Sequence, residues 1–191
     1  MKLLITGFDP FGGETVNPAW EAVRRLPDTL ENIDLYKLMI PTVFGEAARR
    51  VLKAAEQIDP DVILCIGQAG GRAAVTPERV GINVRDARIP DNAGAQPEEK
   101  PVVSGGPDAY FATVPIKAMV RAMQEAGFPA AVSNTAGTFV CNDVLYSLLH
   151  NFAGTKTRVG FIHVPYLPEQ GTPSLELEKT VQALTAAICA L

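Results

Sequence analysis

The sequence predicts an α/β fold: a single-domain three-layer α/β/α sandwich with a mostly parallel central sheet. Three observations carry this. Short apolar runs rich in β-branched residues alternate with segments whose apolar residues recur every three to four positions. The run Val62–Gly67 (VILCIG) is nearly all apolar, as expected of a central strand buried on both faces. The chain of 191 residues suits one compact domain, residues 1–191, with a substantial core.

The strands follow in order. Leu3–Thr6 reads as the first, Asp34–Ile40 as the second and Val62–Gly67 as the third. Ala130–Ser133 and Val159–Val164 (VGFIHV) have the same character, and Val80–Val84 adds another extended piece. Helices fill the gaps. Asn17-Pro18 opens one, with Asn as N-cap and Pro at the first helical position. Phe44–Ile58 forms the second, with Ala47, Val51, Ala55 and Ile58 on one stripe. Ile116–Ala126 forms the third, closed by Gly127. A fourth starts near Cys141 and carries Val144, Leu145, Leu148 and Leu149 on one side. Ser174–Leu191 is the last, with Ser174 as its cap. Arg85–Pro107 has no periodicity and is rich in Pro, Gly, Asp and Glu; a loop of that length is usually functional or mobile.

Composition narrows the function classes. Apolar residues make up 47% and charged residues 20%. The formal net charge is -4, and the basic residues are scattered. That argues against nucleic acid or an anionic membrane as partner, since both need a basic face. No apolar stretch approaches the roughly 18–20 residues of a membrane span, and Leu3–Ile5 is too short for a signal-peptide core. A cytoplasmic protein is expected. The three cysteines, Cys65, Cys141 and Cys189, form neither a disulfide framework nor a C-x-x-C metal pair.

The sharpest local pattern is Ser133-Asn134-Thr135-Ala136-Gly137-Thr138-Phe139-Val140-Cys141-Asn142-Asp143. An apolar strand ends, a small-residue turn follows, and a helix begins at or near the cysteine. In open α/β sheets ligands gather at the carboxyl ends of strands. A thiol at a helix N-terminus feels the positive end of the dipole, so its pKa is expected to fall and thiolate to accumulate. The unpaired N–H groups there suit an oxyanion. Cys65 inside a strand and Cys189 on the last helix read as structural thiols.

His163 stands near the end of the strand Val159–Val164, where Pro165 stops the pairing. It is expected at the same sheet edge as Cys141, placed to take the thiol proton and return it to a leaving amine. His150 closes the helix begun at Cys141; nine residues rise about 13 Å, so it cannot face its own cysteine. It reads instead as a charge partner of the helix C-terminus. A third group should orient His163. Glu78, Asp86 and Asp91 are all candidates, and spacing does not choose among them. The loops Gly7–Gly13 and Gly67–Arg72 follow strands, but neither has phosphate-loop spacing. Phe8 and Phe11 offer flat walls for a small ring.

Five ordered stretches give the chain a family likeness: TGFDPFGGETVNPAW at 6–20, IGQAGGR at 66–72, TPERVGINVRDARIPDN at 76–92, SNTAGTFVCND at 133–143 and HVPYLPEQ at 163–170. Over essentially its whole length the sequence resembles the pyroglutamyl-peptidase I family. That resemblance implies a cytosolic, homotetrameric cysteine peptidase that acts on peptides with N-terminal pyroglutamate and uses no cofactor or metal. It implies Cys141 as nucleophile, His163 as base and Glu78 as the acid that orients it. It implies Arg88 and the Cys141 N–H at the oxyanion, Phe8, Phe11 and Phe139 around the pyrrolidone ring, and Gln68 and Asn17 as polar residues near it.

Two rival readings remain at this level. One is a nucleoside phosphorylase, which shares a three-layer sandwich and would hold phosphate on glycine-rich loops. The other is a non-enzymatic small-molecule-binding module.

Overall fold

The computed structural model describes all residues, Met1–Leu191. Strands β1 (Lys2–Phe8), β3 (Ile33–Ile40), β4 (Val62–Gln68) and β8 (Arg158–Val164) form the parallel heart of a six-stranded sheet. Its order is β2-β3-β1-β4-β8-β5, with the short antiparallel strands β2 (Thr29–Leu30) and β5 (Thr76–Pro77) at the edges. Strands β1, β4 and β8 are buried along almost their whole length, because helices cover both faces.

Helices α1 (Pro18–Arg25), α3 (Ile116–Glu125) and α5 (Leu177–Cys189) pack on one face, around Leu3, Ile5, Leu64 and Ile162. Helices α2 (Glu46–Ile58) and α4 (Val140–Asn151) cover the other, around Leu4, Ile63, Cys65 and Phe161. Each apolar stripe read from the sequence faces the sheet. The Asn17 side chain accepts the Ala19 N–H at 3.0 Å and caps α1, as expected. Gly127 takes a positive φ of 87° after α3.

Helix α4 is buried nearly all round rather than on one side. Asn142, Asp143, Tyr146 and Ser147 are buried along with its leucines. An antiparallel ribbon of β6 (Val80–Ile82) and β7 (Ala109–Phe111) covers its outer surface. Asn142 is bonded to that ribbon: its Oδ1 accepts the Ile82 N–H and its Nδ2 donates to the Ile82 and Val84 carbonyls, each at 2.9 Å.

Two expectations are corrected. Ala130–Ser133 does not form a regular strand; it makes only isolated bridges, Val75 with Ala130 and Glu78 with Ser133. Bonds run from Val75 N to Pro129 O, Ala131 N to Val75 O, Ser133 N to Pro77 O and Arg79 N to Ser133 O. The link that would complete the ladder needs an N–H at Pro77, which has none. Ser174 does not cap α5. It lies extended beside Tyr166, with the Leu175 N–H donating to the Tyr166 carbonyl at 2.8 Å, and the helix starts after Glu176.

The segment between β6 and β7 is irregular, as predicted, but fastened. Arg85 and Lys100 exchange backbone bonds, Ala87 N donates to Pro97 O, and Asn92 N donates to Thr42 O. The Asp91 carboxylate gathers the N–H groups of Phe44, Ala93 and Ala95.

Candidate active site

The carboxyl ends of β1, β4 and β8 reach one edge of the sheet, beside the point where the chain order reverses between β1 and β4. A cavity of about 780 Å³ opens there, and Cys141 and His163 both line it.

The parallel ladder places the catalytic candidates. Gly67 on β4 is paired in register with His163 on β8. A Cβ on Gly67 would come within 3.0 Å of Cys141 Sγ and 2.7 Å of the Phe161 ring. The thiol therefore lies over Gly67, on the immediate cross-strand neighbour of the histidine, and only glycine leaves it that room. Phe161 packs against the His163 ring with centroids 4.8 Å apart.

Glu78 comes from the opposite side. It follows β5, and its N–H donates to the Phe161 carbonyl at 2.9 Å. Its carboxylate is fully buried, and Oε1 lies 2.7 Å from Nδ1 of His163, itself 4% exposed. Burial pushes the Glu78 pKa up, but the bonds to His163 and Arg72 outweigh it and hold the carboxyl below its usual range. An ionised carboxylate only accepts, so Nδ1 carries the hydrogen and Nε2 keeps its lone pair. Burial lowers the His163 pKa despite Glu78, so the imidazole rests neutral.

The thiol departs from expectation. Cys141 is the second residue of α4, at the helix N-terminus as read from the sequence. Yet burial, with the Glu78 charge adding to it, pushes its pKa up to about 12. Desolvation outweighs the helix dipole, which is worth at most about 2 kcal/mol. The raised thiol and the lowered imidazole both favour the neutral pair at rest over thiolate and imidazolium. Cys65, wholly buried below it, is likewise pushed up to about 12.

Of the other predicted residues, Phe11, Phe139, Gln68 and Arg88 line the cavity. Phe11 and Phe139 lie with centroids 6.1 Å apart, and Phe44 meets Phe139 edge-on at 5.3 Å. Arg88 is exposed and has no ion pair. Gln68 Oε1 accepts from Gln170 Nε2 at 3.2 Å. Phe8 and Asn17 stand back from the cavity. Phe8 is in the core, 6.2 Å from the Phe161 ring, and Asn17 caps α1 while its Nδ2 donates to the Asp9 carbonyl at 2.9 Å. Asp86 is on the cavity wall and Asp91 serves the loop, so neither bonds to His163. His150 lies at the far end of α4, where Nδ1 meets the Tyr110 hydroxyl at 3.0 Å. No three His, Cys, Asp or Glu side chains are grouped to hold a metal ion.

Two participants escaped the sequence reading. Tyr166 forms one wall; its ring fills the space a side chain on Gly70 would need, with a Cβ there only 2.1 Å from the hydroxyl. Arg72 bonds Glu78 Oε1 at 2.6 Å. The turn Gly67–Arg72 lacks phosphate-loop spacing, and no local signal in it marks Arg72.

A pyroglutamyl peptidase family model matches residues 1–191, the entire chain. The chain belongs to the pyroglutamyl peptidase family. It is 54% identical over 198 residues to the pyrrolidone-carboxylate peptidase of Levilactobacillus brevis, covering all of this chain and 97% of that one. It is 52% identical over 194 residues to that of Thermococcus onnurineus, covering 98% and 97%. Among solved structures, the crystal structure of Bacillus amyloliquefaciens pyroglutamyl peptidase I superposes with a TM-score of 0.94 at 49% identity, covering 97% of this chain and 94% of that one. A mutant pyrrolidone carboxyl peptidase from Pyrococcus furiosus also gives 0.94, at 41% identity, with 100% and 97% covered. This protein is thus a cysteine-type hydrolase that removes an N-terminal pyroglutamyl residue. The phosphorylase and binding-module readings fall away.

Proposed function

We propose that residues 1–191 act as one catalytic domain in which Cys141, His163 and Glu78 carry out acyl transfer. The observation that carries this reading is the buried 2.7 Å bond between Glu78 and His163 beside the Cys141 thiol. The pyroglutamyl carbonyl approaches Sγ, and Nε2 of His163 takes the thiol proton as the sulfur–carbon bond forms. Glu78 holds the ring in its reactive tautomer and stabilises the imidazolium. The oxyanion settles against the Cys141 N–H at the start of α4 and the guanidinium of Arg88. Collapse breaks the carbon–nitrogen bond while Nε2 returns the proton to the leaving amine. Water, deprotonated by His163, then attacks the thioester, releases pyroglutamate and restores the thiol.

A lactam ring has no free amine, so recognition needs apolar faces and a few polar partners. Phe11 and Phe139 supply faces, and Gln68 a polar group at the end of β4. Phe8 acts from behind, through Phe161, and Asn17 through the loop it ties to α1.

The enzyme is further proposed to work in the cytoplasm as a homotetramer. No helix is long and apolar enough to cross a membrane, and all three cysteines are unpaired, which suits a reducing compartment. Phe111 on β7, 72% exposed, offers apolar surface for a subunit contact. Light scattering at working concentration tests the tetramer; a monomer refutes it.

The reaction itself is tested by release of a chromophore from a pyroglutamyl amide, with and without iodoacetamide. Alkylation is expected to abolish release; full activity after alkylation of Cys141 contradicts the mechanism.

A further inference from the structure

Arg72 is the cation that bonds the buried acid alongside His163. Its Nη1 lies 2.6 Å from Glu78 Oε1, the same oxygen that receives His163 Nδ1 at 2.7 Å. The other oxygen, Oε2, is buried without a partner. Nη1 also donates to Thr76 Oγ1 at 2.7 Å, and Nη2 donates to the Thr135 carbonyl at 2.9 Å. One guanidinium therefore joins three pieces of chain: the turn after β4, the β5 segment that ends in Glu78, and the loop that runs into Cys141.

We propose that Arg72 is a positioning residue for the peptidase reaction, fixing the Glu78 carboxylate on His163 and tying it to the loop that delivers Cys141. The inference rests on the assignment of these three residues as the catalytic triad.

The geometry argues against an incidental surface ion pair. The acid is 0% exposed, and the Arg72 side chain is itself only 28% exposed, on the cavity wall. A lone buried carboxylate is costly, and a planar fork anchored at both nitrogens compensates it in one orientation. A surface pair would hold no second strand and no catalytic loop.

Charge adds a second consequence. The titratable groups facing His163 are Glu78 beyond β5, Arg72 on its turn and Cys141 on α4; Cys65 on β4 acts on Cys141, and Asp86, Arg88, Glu14 and Tyr166 lie around the cavity. Glu78 favours the imidazolium, whereas Arg72 opposes it and favours thiolate at Cys141. Arg72 thereby adds to the burial that keeps His163 a free base at rest, and it helps the sulfur to carry charge during attack.

The test is the pH profile of kcat/KM on a pyroglutamyl chromogenic amide for wild type, Arg72→Met and Arg72→Lys, with Cys141→Ser measured alongside. Arg72→Met is expected to lose about tenfold or more in kcat with KM within about threefold. Its acid limb should move to higher pH by about half a unit or more, because the cation opposing imidazolium is gone. Arg72→Lys should return the limb to the wild-type position while kcat stays low, since an ammonium cannot span Glu78 and Thr135 together. An unmoved limb in Arg72→Met overturns the proposal, whatever happens to its thermal stability. Should Arg72→Met fail to fold, wild-type kcat in Arg72→Lys overturns it instead. An active Cys141→Ser would remove the triad and the proposal together, whereas a dead Cys141→Ser beside an unmoved Arg72→Met removes only the role of Arg72.

Discussion

Glu78 Oε1 and His163 Nδ1 lie 2.7 Å apart in a pair that solvent barely reaches. Everything chemical about the site follows from that bond, because it fixes which imidazole nitrogen is left for the thiol. Glu78→Gln keeps the shape and can leave its carbonyl oxygen where Arg72 and His163 both donate, but it removes the charge that stabilises the imidazolium. A loss of about 10²-fold or more in kcat is expected, with KM little changed, in steady-state kinetics on a pyroglutamyl amide.

The pH profile should be broad. Activity needs the pair to hold one transferable proton. Protonating His163 ends it on the acid side, and losing the Cys141 proton ends it on the alkaline side. Burial lowers the first pKa below the usual histidine value of about 6.5 and pushes the second up to about 12. kcat/KM should therefore hold below pH 6.5 and stay flat well into the alkaline range. A narrow bell centred near neutrality would contradict both shifts.

Acid should also weaken the fold. Both Glu78 and His163 have lower pKa values folded than unfolded. Each contributes stability that is complete above its unfolded value, about 4.3 for Glu and 6.5 for His, and is lost as pH falls through the folded value. Urea midpoints measured from pH 7 downward should fall first below 6.5 and again below 4.3. In Glu78→Gln the second step should shrink.

Gly67→Ala should remove activity through sterics alone. The new methyl would meet the Phe161 ring at 2.7 Å and Cys141 Sγ at 3.0 Å. Overpacking of this kind costs about 1–3 kcal/mol, so the protein should still fold while the thiol is displaced. Retention of wild-type kcat would mean that Sγ does not react from above Gly67.

Asp143 is a buried anchor rather than a reactant. Its Oδ1 pairs with Arg85 Nε at 2.6 Å, and its Oδ2 accepts the Gly45 N–H at 2.8 Å at the start of α2. Asp143→Ala leaves both unpaired next to the segment that carries Arg88. A loss of about 3–5 kcal/mol is expected, on the order of 10 °C in Tm by calorimetry.

The sequence was most legible where one local rule operates. Asn17-Pro18 announced α1, continuous apolar runs announced β1, β4 and β8, and Gly127 closed α3. It misled where tertiary context decides. Pro77, a residue distant in sequence, prevents Ala130–Ser133 from forming a ladder, and Leu175 pairing with Tyr166 draws Ser174 away from α5. At the site, the place of Cys141 and the shared edge with His163 were readable from strand ends. The choice of Glu78 came only from the family resemblance, since a register across β5 and β8 has no signature in spacing. The raised thiol pKa was unreadable for a related reason: a helix start is visible in sequence, but the burial that opposes it is not. Arg72 was hidden because its partners are sequence neighbours only in part, Thr76 and Glu78 nearby and Thr135 far along the chain.

The central claim is that Cys141 alone, of three thiols, is the nucleophile. It is tested most directly by kcat of Cys141→Ser, Cys65→Ser and Cys189→Ser on a pyroglutamyl amide, with folding checked by circular dichroism. Cys141→Ser should fall by several orders of magnitude at unchanged fold, while the other two stay within about tenfold of wild type. A folded Cys141→Ser with wild-type turnover would contradict the account.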